Sequence, residues 1–336
     1  MKKYKIATIP GDGIGPEVMD AALSILRKLE NGRDVSFDFI ELSAGDETLK
    51  KTGSALPSET LRGIKQSDVC LFAAVGETAK DVIIPLRQGL DLYANIRPAK
   101  VYPNVPHIGK DVDLVIIREN TEDLYKRVGF QADDWGVSLR IITRQASERI
   151  ARFAFELAKK EERKRVTCVH KANVLDNDII FTEACRRVSK EYPSIEYEET
   201  IVDACAMKLI LKPEHFDVVV TTNMFGDILS DEAAGLVGGL GMAPSGNIGD
   251  RYAIFEPVHG SAPDIAGRGI ANPIAMVLSV VMMLKWLGEL ELSRILENAI
   301  VDVLKEGRVL TPDLGGKAGT KDVSEAIEEK INRKGF

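Results

Sequence analysis

Residues 216–249 read FDVVVTTNMFGDILSDEAAGLVGGLGMAPSGNIG, and the fold can be worked out from this stretch. The β-branched run Phe216–Thr222 predicts a buried strand. The segment after it, NMFGDILSDEAAG, suits a helix, in which Asp227 and Asp231, four residues apart, share one face. Two hard carboxylates just past the C-terminal end of a strand suit Mg2+ or Mn2+. Equally, Asp227 can cap the helix and Asp231 favour its positive end. The glycine-rich Gly235–Gly249 then predicts a crossover between two parts of the molecule, with one domain inserted in the other.

Outward from this stretch the same alternation repeats. Lys5–Ile9, Val69–Val75, Leu114–Ile117 and Arg165–Val169 read as strands. A helix starts at Pro16 with Val18, Ala22, Ile25 and Leu29 on one face. Ser147–Lys160, Phe181–Glu191 and Asn272–Leu287 read as further helices. The fold class is therefore α/β, with helices covering a mostly buried sheet. Lys126–Val137 mixes Gly, Asp and Trp and predicts a protruding arm.

Composition narrows the function. The chain has 336 residues, 45% hydrophobic and 28% charged, with a net charge of −7. That balance argues against nucleic acid as a partner, since phosphate binding needs clustered Lys and Arg. The most apolar run, Ile274–Leu284, falls short of the roughly 20 residues that span a bilayer, so no membrane association is expected. It suits a buried helix. Pro10 and Gly11 interrupt the N-terminus too early for a secretory apolar region, and the expected compartment is the cytoplasm. Cys70, Cys168, Cys185 and Cys205 have no CxxC spacing, which leaves neither a zinc nor a redox motif and suits buried small apolar residues.

Several polar residues are candidates for chemistry. Arg87, Arg97 and Arg118 could bind a dicarboxylate by forked hydrogen bonds, or could be solvated surface groups. Arg118 directly follows a buried strand. Lys171, also at a strand end, is either a base or a surface lysine. Tyr125 is either a proton donor or a packing residue, and Asp203 alone reads as a helix cap. His170 and His259 belong to no triad motif. Gly11–Gly15, GDGIG, lacks the Rossmann GxGxxG spacing, and there is no Walker A loop. Glu256–Pro273 is a turn-rich loop that could wrap a nucleotide.

Taken in order, GDGIGPEV (Gly11–Val18), DLYANIRPAK (Asp91–Lys100), RENTEDLY (Arg118–Tyr125), HKANV (His170–Val174), Thr221–Gly249, EPVHGSAPDIAGRGIANP (Glu256–Pro273) and TPDLGG (Thr311–Gly316) span nearly the whole chain. Together they resemble the β-decarboxylating dehydrogenases of isocitrate, isopropylmalate and homoisocitrate. The resemblance implies a non-Rossmann fold of two domains that share a mixed sheet, 1–92 with 238–336 for the cofactor and 93–237 inserted with the dimer contacts and arm. It implies a homodimer, or a higher oligomer built from it, with shared active sites. Arg87, Arg97 and Arg118 match the substrate clamp. Tyr125 and Lys171 match the acid/base pair, with Lys171 kept neutral by cationic surroundings. Asp203, Asp227 and Asp231 match the ligands of Mg2+ or Mn2+, a cation that acidifies the 2-hydroxyl of the hydroxy-acid substrate. Lys171 and Asp203 would come from the partner subunit. His259, Gly260, Ser261, Ala262, Asp264 and Asn272 match the cofactor loop, and Asp264-Ile265, where NADP users typically carry Lys-Tyr, implies NAD. After HKANV the usual T-D-G segment is replaced by DNDII (Asp176–Ile180), which puts the local loop in question. A catalytically silent regulatory subunit, or a dinucleotide binder without turnover, would have lost some of these acids, bases and ligands, and none is missing.

Discrimination among di- and tricarboxylate substrates falls on the segment before Arg87. Homoisocitrate enzymes of the bacterial type carry an arginine three positions before the clamp arginine, and isocitrate enzymes carry serine and asparagine nearby. This chain has Ile84 there. Ile83 and Ile84, with Val174 from the partner subunit, would form an aliphatic wall suited to an isopropyl group. Burying three carbons against it contributes roughly 2 kcal/mol. Setting an unpaired carboxylate there costs on the order of several kcal/mol. Oxidative decarboxylation of 3-isopropylmalate, in leucine biosynthesis, is the expected activity. Gly235–Gly249 and the helix Asn272–Leu287 are expected to supply dimer surface.

Overall fold

The computed structural model describes residues 2–108 and 112–333. The first third of the chain forms β1 (Lys2–Gly11), α1 (Gly15–Glu30), β2 (Val35–Glu41), α2 (Asp46–Thr52), α3 (Ser58–Lys65), β3 (Val69–Ala74), α4 (Ala79–Gly89) and β4 (Ala94–Lys100). The middle forms β5 (Asp113–Glu119), β6 (Gly129–Gln131), β7 (Gly136–Ser138), α5 (Arg144–Lys160), β8 (Arg165–His170), α6 (Asp176–Ser189), β9 (Glu196–Ile201), α7 (Val202–Leu211), β10 (Val218–Thr221) and α8 (Asn223–Leu236). Last come β11 (Pro244–Ile248), β12 (Ala253–Pro257), α9 (Ile274–Trp286), α10 (Leu290–Glu306) and α11 (Thr320–Arg333). Every strand and helix expected from the sequence is present, with ends displaced by a few residues where caps and frayed turns decide them.

One ten-stranded sheet runs through the molecule in the order β2-β1-β3-β12-β11-β4-β5-β10-β8-β9. One wing, β2-β1-β3-β12, is parallel, and so is the other, β5-β10-β8-β9. Between them the pairs β12-β11, β11-β4 and β4-β5 are antiparallel. Three reversals leave the two wings running in opposite directions. The chain builds most of the first wing, leaves it at Leu92, builds the second, and returns through Gly238 to supply β11 and β12. This is an α/β fold built on one mixed sheet, without Rossmann topology, as the sequence implied.

The core follows from the periodicities. Val18, Ala22, Ile25 and Leu29 of α1 are fully buried. Helix α9 is apolar on every side, and ten of its thirteen residues are buried, as a helix without a polar face must be. It packs on β11 and β12 and between α1 and α10. Strand β11 is likewise buried throughout. Against the expectation that these two segments offer dimer surface, most of their apolar groups are buried inside one chain, which leaves Leu240 and Trp286 exposed. Further exposed apolar side chains lie at Met207, Ile210 and Leu211 of α7, Met224 and Ile228 of α8, and Phe130 and Trp135 of the β6–β7 hairpin. That hairpin is the expected arm, and its Phe130 and Trp135 rings meet edge to face at 5.1 Å. All four cysteines are free and buried. Among the described residues no helix is long and apolar enough to cross a membrane.

One carboxylate relay fixes the approach to α4. The Asp12 carboxylate accepts the backbone N–H groups of Asp46 at 2.8 Å, Glu47 at 3.1 Å and Gly76 at 3.1 Å. Asp46 in turn accepts the Thr78 hydroxyl at 2.6 Å and the N–H groups of Glu77 and Thr78. Thr78 immediately precedes α4, which carries Ile84 and Arg87. Asp12→Ala is expected to destabilise the fold by about 1–3 kcal/mol, since it orphans partly buried donors. A urea unfolding midpoint equal to that of the parent protein would contradict this reading.

Candidate active site

The site begins where β5 ends. Its last residues, Arg118 and Glu119, are both buried. Glu119 accepts the Thr121 hydroxyl and the N–H groups of Thr121 and Glu122 at 2.7–2.9 Å, which turns the chain sharply. The turn brings Tyr125 back over Arg118, with the guanidinium 4.9 Å from the ring centre. Helix α8 approaches from β10. Arg118 donates to Asp227 and, through Nε, to Asn223 Oδ1 at 2.9 Å. Tyr125 donates its hydroxyl proton to Asp227 Oδ2 at 2.5 Å. This contact needs glycine at 226, where a Cβ would lie 2.6 Å from Arg118 Cγ.

Arg97, in the middle of β4, and Arg87, near the end of α4, complete the cleft. Arg97 Nη1 lies 3.7 Å from Asp231 and its Nε donates to Asn95 Oδ1 at 2.7 Å. Arg87 donates to Glu256 at 3.3 Å. All three arginines are less than 9% exposed. Burial, and then proximity to Arg87, makes Arg97 easier to deprotonate and pushes Arg118 down to about 10. Arg87 Nε and Arg118 Nη2 are buried without any hydrogen-bond partner. Buried cations with unused donors are able to take an anion, and their planar forks suit carboxylates.

The acids are tuned by the same charges. Burial raises the Asp227 carboxyl, but Arg118, the Tyr125 hydroxyl and the other arginines outweigh it and hold the group below the usual range. Burial and neighbouring Asp227 push Asp231 above that range despite Arg97. Burial raises the Tyr125 phenol, helped by its hydrogen bond to Asp227, so it stays a proton donor.

Lys171 and Asp203 are placed elsewhere. Lys171 Nζ donates to Asp203 Oδ1 at 2.5 Å, and Asp203 sits exposed in the first turn of α7. That hydrogen bond holds the Asp203 carboxyl below its usual range. The expected cationic surroundings of Lys171 are not what one chain provides, because its Nζ meets a carboxylate. Among the described residues, no cluster of three or more acids, histidines or cysteines is close enough to hold a metal. One chain thus joins Asp227 with Asp231, and Lys171 with Asp203, as two separate pairs. Val174 is also exposed. The DNDII segment is not an irregular loop but the first turn of α6. Its buried Asp178 accepts the N–H of Lys171 at 2.7 Å.

On α4, Ile83 packs into the apolar cluster beneath the helix, while Ile84, half-buried, does not. Nearby Arg127 is paired with Asp81 at 3.6 Å.

The loop after β12 lies against the Gly11–Gly15 turn. Ile14 N–H donates to Ser261 O at 2.8 Å, and a Cβ at Gly13 would lie 1.9 Å from that oxygen. Burial lowers the pKa of His259, whose Nδ1 lies 3.0 Å from Gly260 O while Nε2 is buried without a partner. Gly260 and Asp264 are exposed, Ser261 is half-buried, and Ala262 adopts φ +38°. Asn272 is buried, donating to Asp313 at 2.9 Å and accepting from Ile274 N–H at 3.0 Å.

Sequence reasoning missed a buried relay: Arg97 to Asn95 Oδ1, Asn95 to Asn247 Oδ1 at 3.1 Å, Asn247 to Glu256 Oε1 at 2.8 Å, and Arg87 to the same oxygen. Nothing in the sequence marked Asn247, which lies in the glycine-rich Gly235–Gly249, or Asn95 as partners.

The isocitrate/isopropylmalate dehydrogenase family matches residues 5–327. Two relatives named 3-isopropylmalate dehydrogenase align over 98% of this chain and 99% of their own length. The one from Methanothermobacter thermautotrophicus is 54% identical and the one from Archaeoglobus fulgidus 53%. The crystal structure of isocitrate dehydrogenase from Methylococcus capsulatus superposes with a TM-score of 0.92. It is 45% identical, with 98% of this chain and 99% of that chain covered.

Gly226→Ala is expected to push α8 off Arg118, lowering stability by about 1–3 kcal/mol. Turnover should fall by roughly tenfold or more, as a displacement near 1 Å suffices for that. Turnover unchanged in a destabilised variant would show that this close approach does not place Asp227.

Proposed function

The chain belongs to the isocitrate/isopropylmalate dehydrogenase family, whose members are metal-dependent dehydrogenases, and from that premise we propose that it oxidises and decarboxylates 3-isopropylmalate with NAD. The observation that carries this reading is the three-arginine cleft with Ile84 beside it. Two substrate carboxylates would meet Arg87, Arg97 and Arg118, including the donors now without partners. An isopropyl group would lie on Ile84, where the nearest arginine of the arm, Arg127, is engaged by Asp81. Leucine biosynthesis is the pathway this activity serves.

The donor set fits a divalent cation. Asp227 and Asp231 are hard oxygen donors one helical turn apart, and Asp203 of the partner subunit would be the third. A bound Mg2+ or Mn2+ supplies acidification of the 2-hydroxyl and stabilises charge on oxygen as CO2 leaves. The cofactor loop also fits, through the unused His259 Nε2, Ser261 beside it, and Asp264, exposed and able to accept from ribose hydroxyls while repelling a 2′-phosphate. NAD supplies the hydride acceptor. Tyr125, kept protonated, would deliver a proton to carbon after decarboxylation. Lys171 of the partner subunit would take the hydroxyl proton. Docked against the arginine cleft, it would meet the cationic surroundings that its own chain lacks.

Sharing requires a dimer. The stripe Met207, Ile210 and Leu211 on α7, next to Ile228 on α8, supports a homodimer through these helices. The two-domain division proposed is 1–92 with 238–336, and 93–237. Buried free thiols suit the cytoplasm.

Parallel kcat/KM measurements test the substrate. Isopropylmalate should lead homoisocitrate and isocitrate by roughly 30-fold or more, the equivalent of about 2 kcal/mol. Preference for either tricarboxylate would overturn the Ile84 reading, and comparable kcat/KM with NADP would overturn that of Asp264.

Subunit mixing tests the shared site. Lys171→Met and Asp227→Asn should each be nearly inactive alone. Exchanged together, they should recover activity, because one hybrid site keeps both wild-type residues. No recovery despite demonstrated exchange would refute sharing.

A further inference from the structure

Arg140 has no assigned role, yet its guanidinium touches the supports of several site residues. Nη1 donates to Asp178 and, at 3.0 Å, to Asn177 Oδ1. Nε lies 2.9 Å from Asp123 Oδ1, and Nη2 donates to Thr222 Oγ1 at 2.8 Å. The guanidinium carbon lies 5.1 Å from the centre of the Phe225 ring. Asp123 and Asp178 are both fully buried.

Each partner passes the constraint on. Asp178 accepts the backbone N–H of Lys171 at 2.7 Å. Asp123, held at φ +67°, accepts the N–H of Leu124 at 2.8 Å, one residue before Tyr125. It also accepts the N–H of Met224 at 3.1 Å, in the first turn of the helix that carries Asp227. Thr222 occupies the N-cap position of that helix, with its hydroxyl taken up by Arg140 rather than by a capping bond. One flat, five-donor fork thus joins loops that approach from three strands, a geometry a single ammonium cannot reproduce. Removing it would leave two buried carboxylates facing each other without a counter-ion.

We propose that Arg140 is a positioning residue that sets Lys171 and Tyr125 relative to one another. On the shared-site reading, which this extension requires, these two groups of one chain serve different active sites. A single Arg140 then supports both sites of the dimer.

Arg140→Lys keeps the charge and loses the fork, and Arg140→Met loses both. If Arg140→Met does not fold, Arg140→Lys carries the test. The Arg140→Lys homodimer should lose roughly tenfold or more in kcat while KM for the hydroxy acid stays within about threefold, because the arginine clamp is intact. A fall in melting temperature with unchanged kcat would overturn the positioning role. Differentially tagged hybrids test the two-site claim. A dimer of wild-type and Lys171→Met chains loses one site and should keep about half of wild-type turnover. A dimer of wild-type and Arg140→Lys chains should fall well below half, and retention of half would overturn the claim. The Lys171→Met with Asp227→Asn mixture is the control for sharing. If it fails to recover, the two-site claim falls with sharing, and the homodimer kcat alone decides whether Arg140 positions the site.

Discussion

Arg87, Arg97 and Arg118 lie almost wholly out of water, and burial followed by the charge of Arg87 makes Arg97 and Arg118 easier to deprotonate. Desolvated like charges are tolerated in a fold only if the surroundings compensate and hold them still. Much of the surrounding architecture serves that end. Glu256 faces Arg87, Asp227 and Asn223 face Arg118, and Asn95 and Ser230 face Arg97. The compensation is incomplete, since two guanidinium nitrogens have no partner. On the proposed reading, that remaining demand is what a doubly anionic ligand would meet. The same positive field holds the half-buried Asp227 carboxyl below its usual range.

The relay from Arg97 through Asn95, Asn247 and Glu256 to Arg87 crosses β4, β11 and β12, the antiparallel part of the sheet. Polar groups in the middle of buried strands are destabilising unless each finds a partner, and a satisfied chain of them is stiff. Two arginines from different elements are thereby held in one frame. The reversal of strand direction at the sheet centre and the geometry of the clamp are consequences of the same few strands.

Much of this was legible in the sequence because it is local. The run Phe216–Thr222, the i, i+4 spacing of Asp227 and Asp231, and the apolar face of α1 each follow from periodicity within one element. The ends of β5, β8 and β10 were correctly read as the places where Arg118, Lys171 and Asp227 emerge. What sequence did not reveal is non-local. Nothing near Arg140 indicates that it meets Asp123 and Asp178, some 17 and 38 positions away. Nothing near Lys171 announces Asp203. For α9, composition correctly indicated burial, but not whether its own chain or a second copy would cover it. The departure at Asp176–Ile180 looked like a loop change, yet Asp178 turns out to be the anchor of Lys171, because a carboxylate in the first turn of a helix can reach back to a preceding N–H.

The order of strands in the sheet also governs how the chain can fold as it is made. Strand β3 pairs with β1 on one edge and with β12 on the other. Its second partner lies roughly 180 residues downstream, on the order of ten to forty seconds later at ribosomal speeds. During that interval the opposite wing has everything it needs to assemble, whereas β3 presents an open edge of six apolar or small residues. An unpaired edge of that kind is where a nascent chain recruits a neighbour instead of itself. A ribosome-bound chain of this protein is therefore expected to carry its open edge in the first quarter of the sequence, not at the segment just emerging from the exit tunnel.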